Sequence, residues 1–176
     1  GSQSGHDQPS WPDIYAVRKS SRSANIMIVP ISKELYPSLV KIALQDIGAM
    51  YQPAIQDEFE DISHGKSFGV CAMDNGEPVG YAVAKRTVDT YHLLTLAVDI
   101  QHRGKGYGSL MLDSVFAEIE QQGGKILNVV TDADANESLR FYLRNGFSLT
   151  GIVQDEFIPG VAQAHLTRRM GYRPQG

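Results

Sequence analysis

Hydrophobic residues in this chain come in short dense runs set apart by turn residues, and the spacing within the runs switches between strand-like and helical. NIMIVPI, residues 25–31, is a compact β-branched run ending near Pro30 and predicts a strand. SKELYPSLVKIALQDIGAMY places Leu39, Ile42, Ala43 and Ile47 on one stripe and predicts a helix with Ser32 as its cap. Pro53 restarts the chain into a shorter helix, PAIQDEFEDIS. FGVCAMD and PVGYAVAKRTV predict two strands joined through Asp74-Asn75-Gly76-Glu77, whose central Asn-Gly is a hairpin signal. YHLLTLAV predicts a third strand, more apolar than the others. A glycine segment follows, and then SLMLDSVFAEIEQQG, a helix with Leu112, Val115 and Ile119 on one face and Gly123-Gly124 as its stop. KILNVVTD is a strand, NESLRFYLRN a helix closed by Gly146, and FSLTGIVQDEF and AQAHLTRRM are two final strands.

The order β-α-α-β-β-β-α-β-α-β-β predicts an α/β fold with a mixed, mostly antiparallel sheet flanked by helices. Residues 1–24 break the pattern: GSQSGHDQPS is small and polar, Gly1-Ser2 resembles a cloning remnant, and SWPDIYAVRKSSRSA has no sustained period. This segment reads as a flexible arm, with Trp11, Ile14 and Tyr15 able to dock; 25–172 forms one domain and 173–176 a tail.

The 42% apolar and 20% charged balance is that of an ordinary soluble domain. A net charge of −4 argues against a nucleic-acid partner, and the cations gather only near the glycine segment and Arg168-Arg169. With one cysteine, Cys71, an internal disulfide is excluded and a small buried side chain is the reading. No run has the length of a membrane span or the form of a signal peptide, so the expected setting is cytoplasmic, without a membrane partner.

Candidate chemistry concentrates in HRGKGYGSLM, residues 102–111, between a strand and a helix. The first turn of a helix has unpaired N–H groups and partial positive charge, so a glycine turn leading into it suits an anion. Arg103 and Lys105 add cationic donors. The spacing lacks the Lys-Ser/Thr pair of a P-loop, and it fails the G-x-G-x-x-G fingerprint at Ser109 or Met111.

The pattern present, Arg103-x-x-Gly106-x-Gly108 after a strand ending Ala97-Val98, resembles the pyrophosphate loop of the GNAT superfamily of acyl-CoA-dependent N-acetyltransferases. Ser138-Leu-Arg-Phe141-Tyr142-Leu-Arg-Asn-Gly146-Phe147 is similar to that family's later helix, and the element order over residues 25–172 matches as well. The resemblance implies that Arg103, Gly104, Lys105, Gly106, Tyr107, Gly108 and Ser109 hold the diphosphate of acetyl-CoA or another acyl-CoA. It also implies that the main chain of Leu96, Ala97 and Val98 pairs with the pantetheine arm and thioester carbonyl. Tyr142 would then donate to the departing thiolate, a role that competes with a core aromatic sharing a face with Leu139 and Leu143. The family often has asparagine where Ala135 stands here; Asn136, one residue later, is the candidate cofactor contact or else caps a helix from Glu137.

Transfer to an amine also needs a base, because alkyl amines are protonated at neutral pH. His92 is the first candidate, since strand alternation would place it with Leu94, Leu96 and Val98 on one face. Glu156 and His165 come next. No metal is implied. The acceptor is expected between the first two helices and the last strands, near Tyr51, Gln52, Asp57, Glu58 and Glu60 and opposite Asp155-Glu156-Phe157. That acidic lean favours an amine-bearing small molecule or a protein lysine or N-terminus; a homodimer is compatible with the chain. The rival readings are a non-catalytic acyl-CoA-binding module and a domain of a larger assembly acting on another acyl-CoA.

Overall fold

The computed structural model describes residues 25–171 together with the short strand Tyr15–Ala16. The strands are β1 (Tyr15–Ala16), β2 (Ile26–Pro30), β3 (Phe68–Asp74), β4 (Glu77–Arg86), β5 (Tyr91–Val98), β6 (Ile126–Asp132), β7 (Ser148–Gln154) and β8 (Ala162–Arg169). The helices are α1 (Tyr36–Ala43), α2 (Gln52–Ser63), α3 (Tyr107–Gln121) and α4 (Asn136–Arg144). One sheet holds every strand in the order β1-β2-β3-β4-β5-β6-β8-β7. All pairings are antiparallel except β5 with β6. The expected mixed sheet is therefore observed, with β1 as an addition: within the segment read as a flexible arm, Tyr15 and Ala16 pair with Ile28 and Met27. Trp11 and Ile14 lie outside the described residues.

Helices cover both faces of the sheet, which explains why its central strands are apolar throughout rather than alternating. β4 is buried from Val79 to Ala84. Val70, Ala72, Ala82 and Ala84 join α3 on one face, while Cys71, Tyr81 and Val83 join α1 and α2 on the other. The hairpin between β3 and β4 turns through Asn75 (φ +50°) and Gly76 (φ +82°), as its Asn-Gly predicts. The first predicted helix divides in two. Ser32 precedes a single 3₁₀ turn without a side-chain cap bond, and the α-helix occupies only Tyr36–Ala43. Leu39, Ile42 and Ala43 are buried, but Ile47 lies beyond the helix and is exposed.

Two irregularities govern the region between β5 and β6. Their parallel pairing comprises only Tyr91↔Leu127 and His92↔Asn128. Beyond that point β5 stays with β4 up to Gly80↔Val98, while β6 continues with β8 to Asp132↔Gln163, so the two strands diverge. The second is a bulge: Val83 opposes Thr95 and Ala84 opposes Leu93, leaving Leu94 as the extra residue. Gly80 supports the end of β5 closely. A Cβ there would sit 2.8 Å from the Ala97 carbonyl oxygen and 3.0 Å from Met111 Cε. Gly80→Val is expected to lower the unfolding free energy by about 1–3 kcal/mol, through overpacking against main chain that cannot yield, as read by urea denaturation.

Candidate active site

Divergence of β5 from β6 opens a cleft of about 460 Å³ lined by Leu93–Ala97, Val129–Asp132, Ser138, Tyr142, Gln163 and the post-α1 residues Asp46 and Ile47. The Asp99 N–H bonds to the Val79 carbonyl of β4. Alternation along an antiparallel pair therefore turns the N–H and C=O groups of Leu96 and Val98 away from β4, toward the diverging side. The Leu96 groups and the Val98 N–H are thus left free among the described residues, whereas Ala97 pairs back to Tyr81 and the Val98 carbonyl accepts from Arg103 Nε.

At the open end, the glycine segment delivers the N-terminus of α3. Among the described residues, no protein group accepts a hydrogen bond from the backbone N–H of any residue from Arg103 to Ser109; the first bonded amide is Leu110, to the Gly106 carbonyl at 3.2 Å. Gly104 (φ +74°) and Gly106 (φ +89°) take left-handed conformations, with open space where a Cβ would be. Gly108 has a different reason: a Cβ would lie 3.0 Å from the Phe141 ring, so its absence lets α3 seat against α4. Lys105 is exposed and unpaired among the described residues.

Polar ties hold this loop without using its amides. Tyr107 is buried and its hydroxyl donates to Asp74 Oδ2 at 2.6 Å, which with burial pushes its pKa up to about 12. Asp99 accepts from Gln45 Nε2 at 2.7 Å and lies 2.6 Å from His102 Nδ1, holding its carboxyl below the usual range. Gln45 Oε1 accepts the Ile100 N–H at 2.9 Å. Arg103 donates from Nε to the Val98 carbonyl at 3.0 Å and from Nη2 to Asp46 Oδ2 at 2.6 Å. In this structure the Arg103 guanidinium therefore braces the loop against the α1–α2 connection, and Lys105 is left as the free cation.

Tyr142 comes from α4, with its ring 5.2 Å from both Phe141 and Phe147. It is buried, lines the cleft, and its hydroxyl finds no partner among the described residues. Burial pushes its pKa up to about 12, so it is an O–H donor across the neutral range. Its expected companion Leu143 points outward and is 51% exposed. Asn136 is exposed and is the first residue of α4; Ala135 occupies the cap position with no side-chain bond, which corrects the capping expectation.

The bulge at Leu94 overturns the shared face expected for His92. Leu96 and Val98 pack toward α3, but His92 opposes Lys85, which reaches Asp61 of α2 at 3.4 Å. His92 thus faces the α2 side at the closed end of the cleft, with Nε2 3.2 Å from Thr90 Oγ1, and it is not among the cleft residues. Glu156 and His165 pair with each other at 2.6 Å. Gln52 and Glu60 line a separate hollow of about 950 Å³ between α1 and α2, which contains none of the predicted catalytic or cofactor-binding residues. Tyr51 and Asp57 are exposed, and Asp155 accepts the Gly160 N–H within its own loop. The polar cleft residues missed by sequence reasoning are Asp46, Thr95, Thr131, Asp132 and Gln163. Thr95 offered no signal, because only the bulge decides its face.

No group of three or more metal-ligating side chains occurs among the described residues, and none of the described helices is long and apolar enough to cross a membrane. The acetyltransferase (GNAT) family model matches residues 36–147. N-alpha-acetyltransferase 30 of Schizosaccharomyces pombe is 21% identical over 127 residues, covering 69% of this chain and 83% of that protein. Among solved structures, a GNAT-family protein from Desulfovibrio desulfuricans superposes with a TM-score of 0.76 at 19% identity, covering 82% of this chain and 99% of that one. An aminoglycoside 6′-N-acetyltransferase complexed with coenzyme A superposes with a TM-score of 0.72 at 17% identity, over 84% and 99% of the two chains. With a strand that leaves its neighbour, a helix N-terminus of free amides beside the gap and a family match across most of the domain, the chain belongs to the GNAT acetyltransferase family.

Proposed function

We propose that this protein transfers an acetyl group from acetyl-CoA to a primary amine. The observation that carries the reading is the run of seven unbonded amides from Arg103 to Ser109, on a loop held rigid by side chains rather than by those amides. Such a nest at a helix start fits a diphosphate, and Lys105 adds a charge beside it. Acetyl-CoA supplies the acetyl thioester.

The chain's own groups then divide the work. The main-chain groups of Leu96 and Val98 on the cleft side of β5 orient the thioester arm and donate toward the carbonyl oxygen as it gains charge. Tyr142 donates its hydroxyl hydrogen to the sulfur as the C–S bond breaks. A phenol near pKa 12 gives up its proton less readily than the unperturbed value of about 10 allows, so hydrogen-bond stabilisation of the sulfur precedes transfer. The relatives named above are, by their names, an N-alpha-acetyltransferase and an aminoglycoside 6′-N-acetyltransferase, so both acetylate nitrogen. Asp132 at the cleft supports a cationic amine for this chain as well.

A thiol-release screen with acetyl-CoA and a panel of amines, polyamines and peptides tests the reading; tight coenzyme A binding without turnover on any amine would favour the non-catalytic module instead. Gly106→Val forces a branched residue to φ +89° where space is open, so the chain should fold while coenzyme A affinity by calorimetry falls at least ~10-fold. Tyr142→Phe should lower kcat by ~10²-fold with coenzyme A affinity unchanged. Because the Tyr142 pKa is raised to about 12, its proton is lost only in strong alkali. The wild-type kcat profile should therefore show no alkaline fall from this group below about pH 11.

A further inference from the structure

We infer that Glu58 of α2 is the proton acceptor for the incoming amine, working through the Thr95 hydroxyl at the bulge of β5; the inference rests on the acetyl-transfer reading above. Thr95 lines the cleft, and its Oγ1 lies 2.8 and 2.9 Å from the two Glu58 carboxylate oxygens. Only the extra residue Leu94 makes this meeting possible, because it turns Thr95 to the α2 side of the sheet.

Glu58 lacks the partner that a structural carboxylate in such a place would have. A buried charge is ordinarily matched by an opposite one. Here the nearby cation, Lys85, pairs with Asp61 instead. The groups facing Glu58 are Thr95 from β5, Tyr81 from β4 and Asp61 from its own helix; α1 packs Leu39, Ile42 and Ala43 into this layer, with the Tyr36 hydroxyl bonded to the Phe59 carbonyl. Tyr81 is fully buried beside Thr95, so Glu58, Thr95 and Tyr81 form one polar cluster under the cleft. Burial, with a smaller contribution from Asp61, raises the Glu58 pKa, which moves it toward the range suited to exchanging a proton with an amine. An ammonium group is the cation this arrangement is short of.

The step balances as follows. The protonated amine gives one proton to Thr95 Oγ1 as the Thr95 proton passes to Glu58, leaving a neutral nitrogen. That nitrogen forms the C–N bond at the acetyl carbon, and the C–S bond breaks. A second proton leaves the nitrogen and ends on sulfur by way of the Tyr142 hydroxyl, and Glu58 releases its proton to solvent.

The test compares wild type, Glu58→Gln, Thr95→Val and Thr95→Ser with the best amine of the panel, from about pH 5.5 to 9.5. Glu58→Gln is expected to lose at least ~10²-fold in kcat/KM and the acidic limb of the profile, with coenzyme A affinity unchanged. Thr95→Val should lose a similar factor and Thr95→Ser should restore it; this pair carries the test if Glu58→Gln does not fold. Stability provides a readout independent of activity. A carboxyl whose folded pKa is raised opposes folding once it ionises, so Glu58→Gln should raise Tm at pH 7 and leave it unchanged near pH 4. A purely structural Glu58 would show the opposite, a lower Tm at pH 7. Wild-type turnover together with an intact rate and acidic limb in Glu58→Gln, or loss of that limb in His92→Ala, overturns the assignment alone. A wild type that releases no thiol with any amine overturns the acetyl-transfer reading and this assignment with it.

Discussion

The site depends on β5 being unable to serve two neighbours along its whole length. It shares two rungs with β6 and then remains with β4, which continues to pair with it as far as Val98. β6 meanwhile stays with β8 through Asp132. Main-chain groups left unpaired by a sheet need another partner or water. Here the groups of Leu96 face a gap whose other wall carries Tyr142, and the Val98 carbonyl takes the Arg103 guanidinium as its partner. The same strand changes phase at Leu94, so it presents Leu96 and Val98 to the α3 side and Thr95 and Ala97 to the α1–α2 side. One strand thus contributes to both halves of the site.

The loop into α3 meets two opposing demands. On the proposed reading its amides must be free to bind a diphosphate, yet a segment with three glycines has little packing of its own to hold it still. Side chains resolve this. Tyr107 reaches Asp74 at the end of β3, Asp99 gathers Gln45 and His102, and Arg103 joins Asp46 to the end of β5. Each tie leaves the backbone N–H groups of residues 103–109 unused. On the proposed reading, the loop geometry is set before a diphosphate arrives, which lowers the ordering cost of binding. Lys105, exposed and unpaired among the described residues, stands where the loop meets solvent.

Much of this was legible in the chain. FGVCAMD and YHLLTLAV form strands with the boundaries their composition indicates, and the Asn75-Gly76 turn and the Gly146 stop, at φ +84°, occupy their predicted places. The anion loop was legible for the same reason, since glycine, cation and helix start are local features. Misreadings arose where a local period was carried past a change in structure. Ile47 was placed on a helix that ends at Ala43, and His92 was placed on the face of Leu96 across a bulge. The charge of Arg103 is visible in the sequence, whereas its partner in this structure, Asp46, 57 residues away, is not.

The sequence by itself determined the element order, the mixed sheet covered on both faces, and a glycine-bearing helix start behind an apolar strand. These follow from side-chain periodicity and backbone preference, which act over a few residues. Tertiary structure decided which groups meet: Thr95 with Glu58 across 37 positions, Tyr107 with Asp74 across 33, and the departure of β5 from β6. Such meetings depend on cross-strand register, and a single inserted residue reverses the face of every side chain beyond it.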